Sequence, residues 1–350
     1  MDDYKAHVST LPYAYGGSAG QGMIKDKPDN FKVNECLSFE PSGSGEHVFL
    51  YIQKTDLNTE DVVKQLAKYA DVPRRSVSYA GMKDRYAVTR QWFSVQLPGK
   101  TGPDWDLMEQ SNIQVLQATR HLRKLKRGSI KLNDFEIVLN DLVIDKKLLE
   151  QNLDNIRTSG VPNYFMEQRF GYACQNLSRV YALFASGEKF KNKKTRGIFL
   201  SSARSYLFNQ VLASRVVDQT WNKGLSGDIF ILDGSRQFFQ EDVLPADTQV
   251  RLDEHDIHCS GPLFGTTDQP VEQDAGQIEQ KVFDDNNVFC KGLLDHKLES
   301  SRRALRVVPQ NLIHEWLSPN SMKLSFSLPS GSYATAVIRE LIKTASNKGL

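Results

Sequence analysis

Residues 78–93 read SYAGMKDRYAVTRQWF and join a turn to a strand. Gly81 is free to adopt a positive φ in that turn. From residue 92 to residue 97, apolar side chains recur at every second position, which predicts a strand with one buried face. The pattern therefore places an acidic residue, Asp84, on a tight connection that leads into a sheet.

Asp84 lies among cationic residues, because Lys83 and Arg85 flank it and Arg90 follows in the same stretch. Positive neighbours favour the ionised carboxylate, which suits a nucleophile better than a general acid. A carboxylate nucleophile needs a cationic neighbour and a fixed approach to the carbon that it attacks, but no cofactor. The residues alone leave a second interpretation open, a solvated charge cluster in a turn.

Periodicity predicts the elements around this stretch. Apolar alternation predicts strands at residues 31–39, 47–54, 133–139 and 322–328. Helical spacing predicts helices that begin near residues 58, 148, 201 and 333. Glu35 interrupts the alternation of the first strand, and Phe31 read by pattern alone is a core residue of that strand.

Four strings of the chain are similar to one known family. The string GMKDRYAVTRQWFSV at 81–95 resembles the signature of the TruD family of tRNA pseudouridine synthases. Asn-Asp-Phe at 133–135, VPNYFMEQRFG at 161–171 and LPSGSYAT at 328–335 also resemble that family. The similarity therefore spans nearly the whole chain.

The resemblance implies roles for individual residues. It implies that Asp84 is the nucleophile and that Lys25 lies close to it. It also implies that Phe31 contacts a flipped-out nucleotide, that Asn133 contacts the target nucleotide, and that Phe135 stacks on the uracil.

Two positions depart from the family pattern. Tyr333, also implied to bind the substrate, stands where phenylalanine is expected, and Met82 stands where glutamine is expected. A tyrosine ring still stacks on a base, although its hydroxyl adds a polar group to the site.

Composition describes an ordinary globular protein. The chain has 350 residues, 40% hydrophobic and 25% charged, so its length predicts two domains. No stretch has the length and apolarity of a membrane span, and the N-terminus does not resemble a signal peptide, so a cytoplasmic location is expected. We also expect a monomer.

No cofactor is expected. The cysteines form no C-x-x-C pair, and the H-x-x-H-C spacing of His255, His258 and Cys259 is a weak metal signal. The glycine-rich segment 13–22 lacks the Gly-Lys-Ser/Thr end of a phosphate loop, which argues against a nucleotide site.

The net charge of +2 hides an uneven distribution. Residues 111–132 and 189–217 contain no acidic residue and several lysines and arginines, including Arg204 and Arg215. Both runs are interpreted as phosphate contacts, or alternatively as solvated basic faces. Residues 227–257 are acidic and are expected to face away from RNA.

The resemblance implies an α+β fold. A pseudouridine synthase-like catalytic domain with a mixed, largely antiparallel sheet is expected from residues 1–158 and 306–350. Residues 159–305 are expected to form an inserted α/β domain, the TRUD domain, and the two lobes to flank a basic cleft.

The implied activity is a tRNA-processing isomerisation, in which one uridine, by resemblance uridine 13, becomes pseudouridine after base flipping. A non-catalytic protein that binds structured RNA is the alternative. A glycoside hydrolase ranks third, because it needs a second carboxylate and only Asp134 and Glu340 lie near the motifs.

Overall fold

The computed structural model describes residues 4–108, 111–235, 237–267 and 271–345. Its strands are β1 (Gly20–Met23), β2 (Phe31–Leu37), β3 (His47–Thr55), β4 (Val77–Tyr79), β5 (Val88–Gln96), β6 (Ile113–His121), β7 (Ile130–Ile144), β8 (Val161–Pro162), β9 (Ile229–Leu232), β10 (Phe238–Gln240), β11 (Ile257–Leu263), β12 (Ser301–Ala304), β13 (Arg306–Val307), β14 (Gln310–Ser318), β15 (Ser321–Pro329) and β16 (Lys343–Ala345). Its α-helices are α1 (Thr59–Tyr69), α2 (Lys146–Ser159), α3 (Glu167–Phe170), α4 (Gln175–Ser186), α5 (Lys193–Val217), α6 (Thr248–Asp253), α7 (Gln273–Asp285), α8 (Asn287–Asp295) and α9 (Ala334–Leu341).

One large sheet has the strand order β14-β15-β7-β2-β5-β3-β6, with β4 on β5 and β1 between β7 and β16. Only β2–β5 and β1–β16 pair in parallel among the described strands of this sheet. The predicted α+β fold with a mixed, largely antiparallel sheet is therefore confirmed.

Helices cover one face of this sheet in two places. The helix α1 packs Leu66 against strand residues such as Leu50 and Phe93. The helices α2 and α9 pack on the same face further along, against β2, β7 and β15, through residues such as Leu153 and Val337. The connection from β4 to β5, which carries Asp84, lies on this sheet face, where Lys83 bonds Thr59 of α1 and Glu35 of β2.

A second sheet, ordered β10-β9-β11-β12, lies with α4, α5 and α8 around a separate core, and these elements are here called the second lobe. The large sheet with α1, α2 and α9 is called the first lobe. Its strands come from residues 229–304, whereas those of the large sheet come from residues 20–144 and 310–345. Three residues near the N-terminus, Tyr4, Val8 and Leu11, are buried in this second core.

Two predicted helices differ in length from expectation. The helix α5 begins at Lys193 rather than near Ser201, because the Asn192 side chain caps it by accepting a hydrogen bond from the Thr195 backbone at 2.8 Å. The helix α9 ends at Leu341, whereas the spacing predicts a helix to about Thr344, because the chain enters β16 after Leu341 and pairs with β1. No helix in the described ranges is long and apolar enough to cross a membrane.

Candidate active site

The loop of residues 80–87 is anchored across the sheet face at several points. The Gln91 side chain donates from Nε2 to the Gly81 carbonyl at 3.2 Å. The Lys83 backbone N–H donates to Thr59 Oγ1 at 3.1 Å, and Thr59 Oγ1 donates to Gln91 Oε1 at 3.0 Å. The Thr59 and Gln91 side chains are buried, so these hydrogen bonds fix the backbone that leads to Asp84.

The expectation for Gly81 is wrong in one respect, because its φ is not positive. A Cβ atom at this position would lie 3.2 Å from Ile130 Cδ1, so a larger residue would require that side chain to shift by a few tenths of an ångström.

Lys25 and Asp84 form a short ion pair. Lys25 Nζ lies 2.6 Å from Asp84 Oδ2, and the lysine side chain is 8% exposed while the aspartate side chain is 35% exposed. Lys25 has φ 55°, a conformation uncommon outside glycine and one that clusters at functional sites. The pair fixes the direction of a carboxylate that remains accessible to a substrate.

A second lysine, Lys54, holds the main chain of Asp84. Its side chain is fully buried, and Nζ donates to the Asp84 carbonyl at 2.8 Å and to the Leu57 carbonyl at 2.7 Å. The sheet register explains its direction, because Lys54 pairs with Thr89 on the face that carries the loop. Sequence reasoning read Lys54 only as the end of a strand and missed this contact.

Burial lowers the pKa of Lys54 to about 8, and the Asp84 carboxylate opposes that shift. Lys83 and Asp56 are the other charged groups that influence it. Between pH 8 and the ordinary lysine pKa of 10.5, the unfolded chain keeps a proton that the folded protein has released. The free energy of unfolding therefore gains a contribution that rises with pH across this window.

We expect this pH dependence to disappear in a Lys54→Met variant. Urea unfolding of both proteins at pH about 7.5 and about 10 measures it, and the wild-type protein should gain stability relative to the variant at the higher pH. An equal difference at both values would show that Lys54 does not titrate in this window.

Lys83, Glu35 and Asn133 form a polar cluster next to Asp84. Lys83 Nζ lies 2.6 Å from Asn133 Oδ1 and 2.9 Å from Glu35 Oε1. Glu35 and Asn133 face each other across β2 and β7, and the Trp92 backbone N–H donates to Glu35 Oε2 at 2.9 Å. Burial raises the pKa of Glu35, and the Lys83 ammonium opposes that effect. Asn133 is thus joined to the Asp84 loop, and the break in apolar alternation at Glu35 was the signal for this cluster.

Phe31 and Phe135 lie on the same sheet face but are nearly buried, with 3% and 8% exposure. The Lys25 ammonium lies 4.1 Å from the centre of the Phe31 ring. Phe135 stacks on Phe326 at 5.4 Å between ring centres and meets Phe31 edge-on at 6.3 Å. Both rings therefore belong to the core, and Phe31 borders the ion pair while Phe135 lies behind Phe31. Their contact with a nucleotide stays a prediction.

Tyr333 precedes α9 and lies where the second lobe meets the large sheet. Its ring packs edge-on against Phe165 at 6.0 Å. Arg303 of β12 lies over the same Phe165 ring at 4.2 Å and donates to the Gly331 carbonyl at 3.1 Å. Since Leu328 pairs with Asn133, the chain leaves the sheet beside the polar cluster shortly before Tyr333. Its contact with a substrate also stays a prediction.

The acid-free run at residues 189–217 contains both engaged and exposed cations. Arg215 is not available to phosphates as expected, because it is 2% exposed and bonds Asp228 through two nitrogens at 2.9 Å each. Arg204 is also engaged, donating to the carbonyls of Leu263 and Glu299. Lys189, Lys191 and Lys193 are exposed.

A group of exposed cations in the first lobe, here called the basic patch, consists of Arg74, Arg75, Arg123, Lys124 and Arg127. Lys124 Nζ donates to the Arg75 carbonyl at 3.2 Å, which joins its two segments. The first segment runs directly into β4, the strand before the Asp84 loop. Sequence reasoning found the second segment and missed Arg74 and Arg75.

The three candidate metal ligands have protein partners. His258 Nε2 lies 2.9 Å from Asp233 Oδ1, and its Nδ1 accepts a hydrogen bond from Arg306 Nε at 3.1 Å. His255 Nε2 lies 2.9 Å from the Thr158 carbonyl, and Cys259 Sγ donates to the Lys223 carbonyl. These contacts give the side chains structural roles in the second lobe.

Known proteins resemble the chain along its whole length. The family model described as tRNA pseudouridine synthase D (TruD) matches residues 7–183 and 184–341. The tRNA pseudouridine synthase D of Methylococcus capsulatus is 45% identical over 333 residues, which cover 95% of this chain and 94% of that protein. The protein of the same name from Hydrogenovibrio crunogenus is 40% identical and covers 96% of this chain and 97% of its own.

A solved structure has the same fold. The crystal structure of a putative tRNA pseudouridine synthase D (TruD) from Methanosarcina mazei superposes with a TM-score of 0.71 and 20% identity, covering 98% of both chains. This likeness concerns the fold, whereas the family match and the close relatives establish that the chain belongs to the TruD family of tRNA pseudouridine synthases.

Proposed function

We propose that this chain converts one uridine of tRNA to pseudouridine, with Asp84 as the nucleophile, and by resemblance at uridine 13. The observation that carries the proposal is the 2.6 Å ion pair between Lys25 and a partly exposed Asp84 carboxylate. The names of the close relatives support the reaction and its tRNA substrate.

The reaction is an isomerisation whose atoms balance without an added reactant. The bond from ribose C1′ to uracil N1 breaks, the base turns, and C1′ bonds to C5. The C5 hydrogen leaves as a proton, and N1 gains one. Asp84 acts by attack at C1′, by attack at C6, or in an elimination at the ribose, and all three routes need the ionised carboxylate.

The substrate must leave the base stack before Asp84 can reach it. Lys25 holds the carboxylate in place, and Asn133 reads the edge of the flipped base. Phe31, Phe135 and Tyr333 supply aromatic surface around it. We assign these five residues to substrate binding from the resemblance, and contacts near Asp84 support four of the five assignments. Lys25 belongs to the ion pair and Asn133 to the adjoining polar cluster. Phe31 contacts Lys25, and Phe135 contacts Phe31.

The hydrolase alternative lacks a suitably placed acid at either position considered. Asp134 alternates with Asn133 along β7 and so points to the opposite sheet face, where Cys36 and Ser327 donate to it. Glu340 is fully buried and accepts hydrogen bonds from Arg339 and the Ala14 backbone. Neither carboxylate can serve a substrate held at Asp84.

We also propose the division into a catalytic domain of residues 1–158 and 306–350 and an inserted domain of residues 159–305. The origins of the two sheets support it, although residues 4–11 pack with the second core. The outermost residues, 1–3 and 346–350, lie outside the described ranges. A basic cleft between the lobes, a monomeric state and action in the cytoplasm complete the proposal.

Release of tritium from tRNA labelled at C5 of uridine tests the reaction directly, because only removal of the C5 hydrogen liberates the label. We expect release of one label per tRNA, with pseudouridine at the same position. Tight tRNA binding without any release would favour the non-catalytic RNA-binding alternative.

The basic patch should supply part of the electrostatic binding of tRNA. Replacing Arg123, Lys124 and Arg127 together with glutamine should reduce the slope of log affinity against log salt by about two to three units. Filter binding across a salt series measures that slope.

Lys146, Lys147 and Lys343 form the matched control, since they are exposed and their replacement removes the same charge near the opposite end of β7 from Asn133. Lys146 and Lys147 follow that end of β7, and Lys343 pairs with β1 where β1 pairs with Val143. Their glutamine variant should keep the wild-type slope. Equal slopes for both triple variants would show that the patch is only a solvated surface.

A further inference from the structure

We propose that Lys83 fixes the orientation of the Asn133 amide, so that Asn133 recognises a carbonyl oxygen of the uracil as a hydrogen-bond donor. This inference rests on the proposed function and names a positioning residue, Lys83, that acts through Asn133. It also assigns a chemical polarity to the base-reading group.

The polarity follows from the chemistry of the contact. A lysine ammonium has three donors and no acceptor, so the Asn133 atom 2.6 Å from Lys83 Nζ must be the amide oxygen. The Nδ2 group is then directed away from Lys83. In the part of the chain that the structure describes, Nδ2 has no protein hydrogen-bond partner, and its two donors are left for a ligand.

The ammonium itself is held on several sides. Glu35 Oε1 lies 2.9 Å from it, and the Trp92 backbone fixes the other oxygen of Glu35. The Lys83 main chain is bonded to Thr59, and its side chain is only 9% exposed. Rotation of the Asn133 amide would therefore place its NH₂ against a buried cation, which is strongly unfavourable.

A donor at this position suits uracil. Uracil presents two carbonyl oxygens, O2 and O4, on either side of an N3–H donor, whereas cytosine presents an amino group in place of O4. A fixed NH₂ group directed at O4 would exclude cytosine. One directed at O2 would orient the base but would not distinguish uracil from cytosine. Sulfur accepts a hydrogen bond less well than oxygen, so thio-substituted bases identify the oxygen involved.

The experiment compares tRNA carrying uridine, 2-thiouridine or 4-thiouridine at the target position, labelled with tritium at C5. Single-turnover release by the wild-type enzyme should be about three- to tenfold slower with one of the thio-substituted substrates. That ratio should fall to nearly one in Lys83→Met and in Asn133→Asp, which retains an acceptor for Lys83 but has no amide donor.

Two further variants separate orientation from a general effect on the loop. Lys83→Arg keeps a donor-only side chain and should restore the ratio. Arg85 follows Asp84 in the chain and pairs with Asp56 rather than with Asn133. Its replacement, Arg85→Met, should therefore keep the wild-type ratio. The ratio cancels losses of rate that affect all three substrates equally.

Equal rates on all three substrates by the wild-type enzyme, or an unchanged ratio in Lys83→Met and Asn133→Asp, would overturn the inference. Either result leaves the proposed function intact, because both require tritium release from the uridine substrate. Absence of any release by the wild-type enzyme would instead remove the proposed function itself.

Discussion

Replacing Asp84 with asparagine should abolish pseudouridine formation and leave tRNA affinity within a few-fold of the wild-type value. The amide has nearly the same shape and keeps an oxygen for Lys25, but it cannot act as a carboxylate nucleophile. Affinity should persist because phosphate contacts elsewhere supply most of the binding free energy.

Single-turnover assays on transcribed tRNA measure the first effect, and filter binding measures the second. Asp56→Asn is a suitable control, since Asp56 is a nearby carboxylate that pairs with the exposed Arg85. It should retain turnover. Appreciable pseudouridine formation by Asp84→Asn would remove Asp84 from the role of nucleophile.

Replacing Lys25 with methionine should slow the single-turnover reaction roughly ten- to a hundredfold, the size expected for loss of a hydrogen bond to a charged group. Lys25 holds the Asp84 carboxylate at 2.6 Å and covers the Phe31 ring, so its loss frees the nucleophile to rotate. Small errors in the approach of a nucleophile are costly to rate.

Single-turnover rate measurements on the Lys25→Met variant and the wild-type protein test this claim. Lys27→Met is the control, since Lys27 is exposed two positions along the same loop. A wild-type rate for Lys25→Met would show that the ion pair has no role in turnover.

Periodicity was sufficient for the elements that carry the site. The strands β2 and β3 and the helix α1 begin within one residue of their expected positions, whereas β5 and β7 begin earlier than expected, at Val88 and Ile130. The motif predicted Asp84 as a site residue, and the resemblance predicted Lys25, Asn133 and the aromatic residues Phe31, Phe135 and Tyr333. These features can be predicted because each depends on a short stretch of sequence.

The missed features depend on pairing between distant segments. Lys54 reaches the Asp84 carbonyl only because β3 and β5 align Lys54 with Thr89, and alternation alone does not determine that register. The charge pattern predicted that Arg215 contacts phosphates, whereas its side chain is buried and bonded to Asp228. The Glu35–Lys83 pair likewise requires the β4–β5 loop to lie across β2.

The most direct measurement is a crystal structure of the Asp84→Asn protein bound to tRNA. The account predicts one uridine turned out of the stack, with its C1′ or C6 within about 3.5 Å of the residue 84 side chain and Asn133 Nδ2 on a uracil carbonyl oxygen. A target uridine bound elsewhere, or one that remains stacked in the RNA, would contradict it.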